Sequence, residues 1–590
     1  MKIMIDETID IFRTIREEGC YCVDKTLMLK EYLNDNFKSV VLFERPRRFG
    51  KTVTMTMFRD FLDIRQESKA IFEGLEIMEY PKVVENYMNQ YPVVFFSLKE
   101  VSGDSFEECF RNMQNVVAEM CEDMKDLLHS KEISDSTKAL FQELLNRKAD
   151  KSNIEQSPAL LCRMLRQVYG KPAFVIIDEY DVPMAKSTGT TYYENVRDMI
   201  EHMLSFVCKT NDNVKAVMLS GCLYTVKNSA YTGVNNIISY SVLSPKYASM
   251  IGFTDDDVQK LLMDAGLEDR LETVREWYDG YLFGRERVYC PWDVLRYVSS
   301  VLSGAYDEEQ GPESHWVNTS DVSASLIHGF LGRTTGATEG FERLLVGETI
   351  DCLVNENIAY HRIHESGDNL WSALLETGYL TKAVMGRPMM MPLRIPNNSI
   401  RAAFQNEVME FFRDRVDNAY VSDLVSALWA QETKRAQESL NQILEATLSF
   451  YHEYHEYSYH LILDGFFTGR GYQVLSEIET GYGRSDLVIL DRARNRSMVL
   501  ELKHVKEEKE MEAALREASS QIIRKKYGSR LKYEGYTKRL QYGMAFYDKQ
   551  SLVAVIEPGA TATKKRRKAT GAKPCASKKK ANAETTDALG

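Results

Sequence analysis

A short β-branched and aromatic run, Ser39-Val40-Val41-Leu42-Phe43, leads into Glu44-Arg45-Pro46-Arg47-Arg48-Phe49-Gly50-Lys51-Thr52, and Thr54 to Leu62 then carries helical periodicity. Strand, loop, Gly-Lys-Thr, helix is the local order that a phosphate-binding loop requires. Gly50 lets backbone N–H groups approach an anion, Lys51 can reach β and γ phosphates, and Thr52 offers a hydroxyl to Mg²⁺. The N-terminus of the following helix adds a favourable field. The usual G-x-x-x-x-G-K-[ST] pattern has glycine where this chain has Arg45. By itself, therefore, the loop leaves a plain surface turn open.

The next apolar runs narrow the choice. Phe174-Val175-Ile176-Ile177 ends in Asp178-Glu179, which puts two carboxylates at the C-terminal edge of a buried strand, where open α/β sheets bind ligands. Asp178 is then expected to hold Mg²⁺ and Glu179 to polarise an attacking water, with Asp181 as a third carboxylate. Val93 to Leu98 and Val214 to Gly221 read as further strands, and helical stretches alternate with them, the pattern of a doubly wound parallel sheet. Ser220 is either a sensor of the γ phosphate or a serine that merely ends a strand. Residues 6 to 35 read as helix interrupted at Gly19.

These segments, together with Tyr21-Cys22-Val23-Asp24-Lys25-Thr26, Asn235-Asn236, Gly252-Phe253-Thr254, Trp277-Tyr278-Asp279-Gly280-Tyr281 and Pro291-Trp292, resemble the AAA-ATPase-like proteins that carry a C-terminal PD-(D/E)XK nuclease domain. The resemblance implies that Arg45 belongs to a family variant of the loop. It also implies a nucleotide site that includes Arg47, Arg48, Gly50, Lys51, Thr52, Asp178 and Ser220, with ATP and Mg²⁺ as cofactors.

Near the C-terminus the periodicity turns to that of strands: Tyr472 to Ser476, Asp486 to Leu490, and Met498 to Lys503, with a polar turn over Arg492 to Ser497. Alternation puts Glu501 and Lys503 on one face and Leu500 and Leu502 on the other. A hairpin of this length can bring Asp486 beside Glu501. Two carboxylates would bind a hard cation there, and the lysine would orient the water that attacks a phosphodiester. A charged, solvated strand face is the competing explanation. Glu479-Thr480-Gly481-Tyr482-Gly483-Arg484-Ser485, Gln521 and Tyr527 resemble the same nuclease domain, which implies a catalytic set of Asp486, Glu501, Lys503 and Gln521. Glu456 matches the upstream metal-binding acid, with Glu453 as its competitor. His452, His455 and His460 lack H-E-x-x-H spacing, so a zinc site is not expected there.

Composition sets the outer bounds. The chain has 590 residues, 44% hydrophobic and 27% charged, and no apolar run of about 18 residues, so it is expected to be globular, multidomain, and neither membrane-spanning nor secreted. Ten scattered cysteines without a Cys-x-x-Cys pair fit a reducing, cytoplasmic setting. The net charge of −12 splits into +7 over residues 559 to 590 (nine Lys/Arg against Glu584 and Asp587) and −19 elsewhere. The tail is expected to be disordered, and it suits a solubilising role, added nucleic-acid affinity, or a nuclear address in a eukaryotic setting.

The expected architecture is α/β: a P-loop NTPase parallel-sheet domain over 1–300, a mainly helical connecting region over 301–440, a restriction-endonuclease-like (PD-(D/E)XK) α/β domain over 441–555, and the basic tail. The expected function is ATP-controlled, Mg²⁺-dependent action on nucleic acid, DNA ahead of RNA, with a homo-oligomer left open and no membrane partner. The alternative is a nucleotide-dependent switch or interaction protein whose nuclease-like domain binds without cutting.

Overall fold

The computed structural model describes residues 3–34, 40–209, 211–223, 237–308, 311–316, 337–345, 347–413, 416–447, 456–476, 486–525 and 536–556. Asn235, Asn236, His452, Glu453, His455, residues 477–485, Tyr527 and the tail 559–590 lie outside them.

Every residue of β1 (Val40–Glu44) and β3 (Ala173–Asp178) is buried, as strands covered on both faces must be. With β2 (Val93–Ser97), β4 (Val214–Gly221) and β5 (Ile237–Tyr240) they form a parallel sheet in the order β2-β3-β4-β1-β5. Strand β4 thus separates the loop-bearing β1 from the acid-bearing β3, with Val41 opposite Met218 and Ile177 opposite Leu219. Helices Lys51–Leu62, Phe106–Glu122 and Lys151–Tyr169 pack on this sheet. The N-terminal region expected to be helical over 6 to 35 is two separate helices, Phe12–Glu17 and Leu27–Asn34.

A second apolar cluster follows, built by helices Asp255–Ala265, Leu271–Tyr278 and Pro291–Ser303 around Val258, Val274, Tyr289 and Val298. A hairpin of β6 (Tyr281–Phe283) and β7 (Glu286–Val288) joins it to the sheet domain, where Phe49 stacks edge-on against Tyr281. Asp293, in the first turn of Pro291–Ser303, is buried and accepts the Trp316 indole N–H at 2.8 Å.

The connecting region contains helices, as expected, and also an antiparallel sheet, β8 (Ile350–Cys352), β10 (Met391–Arg394) and β9 (Thr381–Lys382), ordered β8-β10-β9. These strands are too short for a period of two to stand out. The close approach of Pro396 fixes the region against the hairpin. Gly280 has φ +123°, and a Cβ there would lie 2.0 Å from the Pro396 carbonyl oxygen.

The C-terminal sheet runs β11-β12-β13-β14-β15, from β11 (Gln473–Ser476), β12 (Asp486–Asp491), β13 (Arg496–His504), β14 (Lys538–Tyr547) and β15 (Gln550–Val555). Only β13 and β14 pair in parallel. The β12–β13 turn is set by Asp491, whose side chain accepts from Arg494 N, and by Asn495 in the left-handed region. One face packs on helix Glu456–Thr468 through Met498, Leu500 and Leu502, and the other on helix Met511–Lys525 through Val499 and Ile522. Among the described residues no helix is long and apolar enough to cross a membrane.

Two predictions follow from this packing. Gly280→Ala must displace a backbone carbonyl and adopt a positive φ, so a loss of at least about 1 to 3 kcal/mol is expected in urea unfolding. Burial pushes the Asp293 carboxyl up to about 6, against the pull of Trp316 and Arg48. Its folded-state pKa therefore lies above the ordinary 3.8, the native state holds the proton longer, and stability falls as pH rises through that window. Asp293→Asn keeps an acceptor for Trp316 and removes this slope, so the variant should gain on the wild type between pH of about 4 and 7. A urea midpoint that tracks the wild type across that range would contradict it.

Candidate functional site

Helix Lys51–Leu62 begins directly after Gly50, which has φ 87°, and Arg48 in the loop is also left-handed at 68°. Lys51 is buried at the helix start. Its Nζ donates to the carbonyls of Arg45 and Pro46 at 3.1 Å each, lies 3.7 Å from Cys222 Sγ, and pairs with Glu179 Oε1 at 3.3 Å. Burial works against its charge, but Cys222, Glu179, Asp181 and Asp178 hold its pKa above the ordinary value. The ammonium thus stays charged inside the fold.

Asp178 ends β3 and gathers hydroxyls from three other elements. Thr52 Oγ1 donates to its Oδ2 at 2.9 Å, Ser97 Oγ to the same oxygen at 3.3 Å, and Ser220 Oγ to its Oδ1 at 2.5 Å. Burial, then the charge of Glu179, raises the Asp178 pKa. Glu179 follows with φ 51°, a costly conformation for a non-glycine residue, fixed by its N–H to Ser220 Oγ at 3.2 Å and by Tyr180 N–H to the Ser220 carbonyl at 3.0 Å. Its Oε2 has no hydrogen-bond partner among the described residues. Hard oxygen donors at Thr52 and Asp178, beside a charged lysine and a helix N-terminus, suit a Mg²⁺–nucleotide pair.

Asp181 is used differently from the third site carboxylate that its spacing suggested. It is buried, and its Oδ2 accepts from Cys222 N at 2.9 Å, Leu223 N at 3.0 Å and the Tyr360 hydroxyl at 2.9 Å. It braces the chain after β4 against the connecting region. Of the two loop arginines, Arg47 pulls on Cys222, whose thiol burial pushes up to about 12. Arg48 turns the other way, donating to the His315 carbonyl at 2.6 Å with its guanidinium 4.9 Å from the Trp292 ring centroid. Sequence reasoning passed over Ser97, although a polar residue ending an apolar strand was the signal that singled out Ser220. Tyr360 and Trp292 carried no such signal.

Arg45, the position where glycine is usual, is fully buried. Its guanidinium donates to the carbonyls of Glu44, Tyr240, Ser241 and Tyr247 at 2.8 to 3.0 Å. The side chain thus runs from the loop entrance into the segment after β5.

At the C-terminal end, the β12–β13 register sets Asp486 directly opposite Glu501, so both positions belong to one face of the antiparallel pair. The Asp486 side chain lies outside the described residues. Glu501 is buried, unlike a residue on a solvated strand face. Lys503, two residues on, pairs with Glu456 Oε1 at 3.5 Å, and Glu456 Oε2 accepts from His504 N at 3.2 Å. Glu456 opens its helix and so reaches the end of β13. Gln521 lies on helix Met511–Lys525, which covers the Glu501 face so closely that a Cβ on the neighbouring Gly543 would sit 2.8 Å from Ser519 Oγ. His460 is buried and stacked on Tyr457 with ring centroids 5.9 Å apart, in keeping with helix packing.

Comparison with known proteins agrees with both halves. A protein of Azotobacter chroococcum mcd 1, described as an uncharacterized protein in the vnfD 5' region, is 26% identical over 416 residues, covering 68% of this chain and 69% of its own. Residues 7–231 match the family described as "Predicted AAA-ATPase", and residues 454–555 match the PD-(D/E)XK nuclease superfamily. Over these two spans, in this order, the chain is thus similar to the AAA-ATPase-like family and to the PD-(D/E)XK nuclease superfamily.

Proposed function

We propose that the chain binds and hydrolyses ATP with Mg²⁺ at the β1 loop and acts on nucleic acid, DNA ahead of RNA, through a metal-dependent nuclease centre around Glu501. The observation that carries this reading is the 2.9 Å hydrogen bond from Thr52 to Asp178, which joins two hard oxygen donors separated by 126 residues at the carboxyl edge of a parallel sheet. Mg²⁺ held there would neutralise charge building between the β and γ phosphates. Lys51 would exchange the carbonyls of Arg45 and Pro46 for phosphate oxygens. Glu179, at the mouth of the cleft, would orient the attacking water and take its proton, and Ser220 would fix Asp178 and the Glu179 backbone.

In the nuclease domain, Asp486 and Glu501, with Glu456, would hold the cation. Lys503 would steer the attacking water, and Gln521 would contact the substrate or that water. The buried Glu501 on a strand paired in register with Asp486 supports this set over a solvated charged face.

Lys51→Ala should weaken ATP binding by at least about a hundredfold in calorimetry with Mg²⁺. Glu179→Gln should leave binding intact and slow turnover by about 10² to 10⁴. Single- and double-stranded DNA and RNA, each incubated with Mg²⁺ with and without ATP, test the second half. Glu501→Ala should eliminate the metal-dependent cleavage seen in the wild type while ATP binding persists. A wild type that binds ATP yet cuts none of these substrates would favour the non-cleaving switch instead.

A further inference from the structure

Between Glu356 and Gly378 the connecting region reaches back across the carboxyl edge of the parallel sheet, and its anchors there are far apart. Ser241, just past β5, donates its hydroxyl to Glu356 Oε2 at 2.9 Å. Tyr360 opens a short helical turn, Tyr360–Glu365, and donates to Asp181, after β3, at 2.9 Å. His361 Nδ1 lies 3.1 Å from the Tyr193 hydroxyl, at the head of helix Tyr193–Cys208. Gly378, with φ +88°, backs onto the β1 loop itself, where a Cβ would sit 2.7 Å from Pro46 Cβ. The segment is thus a strap that holds β5, the turn after β3, a flanking helix and the β1 loop against one another.

Two of these anchors bear on Lys51. Pro46 lends it a backbone carbonyl at 3.1 Å. Tyr360 acts through Asp181, whose Oδ2 also accepts from Cys222 N at 2.9 Å and Leu223 N at 3.0 Å, and Cys222 Sγ lies 3.7 Å from Lys51 Nζ. Asp181 has little room to move by itself: a Cβ on Gly221 would lie 2.6 Å from its Oδ1, and Tyr180 OH ties down the Leu223 carbonyl at 2.6 Å. Among the described residues, the tyrosine is the one donor to Asp181 that comes from the connecting region. Deleting its O–H leaves a buried carboxyl short of a partner, a strain relieved by a shift of Asp181 and of the backbone at 222 and 223. Asp181 is also among the acids that keep Lys51 charged, so the shift reaches the lysine both as displacement and as a weaker field.

We propose that Tyr360 is a positioning residue of the nucleotide site: it sets the wall behind Lys51, so that the β1 loop takes its binding form only with the connecting region docked. The inference rests on ATP binding at this loop and adds to it a residue from the connecting region. Full-length wild type, Tyr360→Phe and Tyr193→Phe, each titrated with ATP and Mg²⁺ by calorimetry, test it. Both variants delete one hydroxyl between the strap and the sheet domain and keep the ring, but only Tyr360 bonds to Asp181. Tyr360→Phe should weaken ATP binding about threefold to tenfold at unchanged stoichiometry, while Tyr193→Phe binds like the wild type. In turnover the loss should appear in KM, with kcat within about twofold, because a lysine that holds phosphates before and during transfer contributes uniform binding. A merely structural tyrosine would lower the stoichiometry or the urea midpoint and leave the affinity of the folded fraction unchanged. That result overturns the positioning role, as do equal losses in the two variants or a loss confined to kcat. A wild type that does not bind ATP overturns the nucleotide reading itself.

Discussion

A buried guanidinium holds the entrance of the β1 loop. Arg45 lies where other loops of this pattern use glycine, and taking its charge out of water would cost several kcal/mol without compensation. Four backbone carbonyls supply that compensation, from Glu44 at the end of β1, from Tyr240 at the end of β5, and from Ser241 and Tyr247 beyond it. Burial lowers its pKa to about 10, and the nearby carboxyls of Glu376 and Glu44 oppose the shift, so the group stays charged at neutral pH. The loop entrance, the sheet edge and the following segment are thereby one unit. With its backbone fixed in this way, Lys51 can rest on the carbonyls of residues 45 and 46 while Thr52 faces Asp178.

How far these features were legible in the sequence depended on how local their signals were. The strands ending at Glu44, Ser97, Asp178 and Gly221 announce themselves as apolar runs, and Gly50-Lys51-Thr52 announces a loop at a helix start. Strand order is not local: nothing in the run Val214 to Gly221 says that it inserts between the other two. Arg45 looked like a departure from a pattern because a sequence shows the missing glycine and not the carbonyls that receive its replacement. Asp181 looked like a third ligand because spacing shows a carboxylate and not the Tyr360 hydroxyl and backbone N–H groups that occupy it. The connecting sheet escaped notice because β9 has only two residues.

In the C-terminal domain the alternation of β13 holds at its centre, with Leu500 and Leu502 packed toward helix Glu456–Thr468 and Glu501 on the opposite face beside Gly543, whereas Lys503 reaches Glu456 at the strand's end. What alternation could not show was that the charged face is itself roofed by helix Met511–Lys525. A strand buried on both sides with a glutamate at its middle is a stronger constraint than a charged face open to water, because a buried carboxylate must be compensated by whatever lies around it. The domain is also tied to its predecessor: Tyr542 OH donates to the Leu428 carbonyl at 2.6 Å, and Lys538 Nζ to the Trp429 carbonyl at 3.0 Å.

The bond between Tyr360 and Asp181 spans 179 residues, and that separation matters while the chain is being made. A ribosome delivers the whole parallel sheet long before it delivers residue 360. During that interval Asp181 accepts, among the described residues, from the N–H groups of Cys222 and Leu223 without the tyrosine, and the wall behind Lys51 is incomplete. The nascent sheet can form, since its strands and covering helices are already present, but the bracing of Asp181 behind the β1 loop is finished by a tyrosine that arrives late. The order of synthesis thus separates folding of the scaffold from completion of the site.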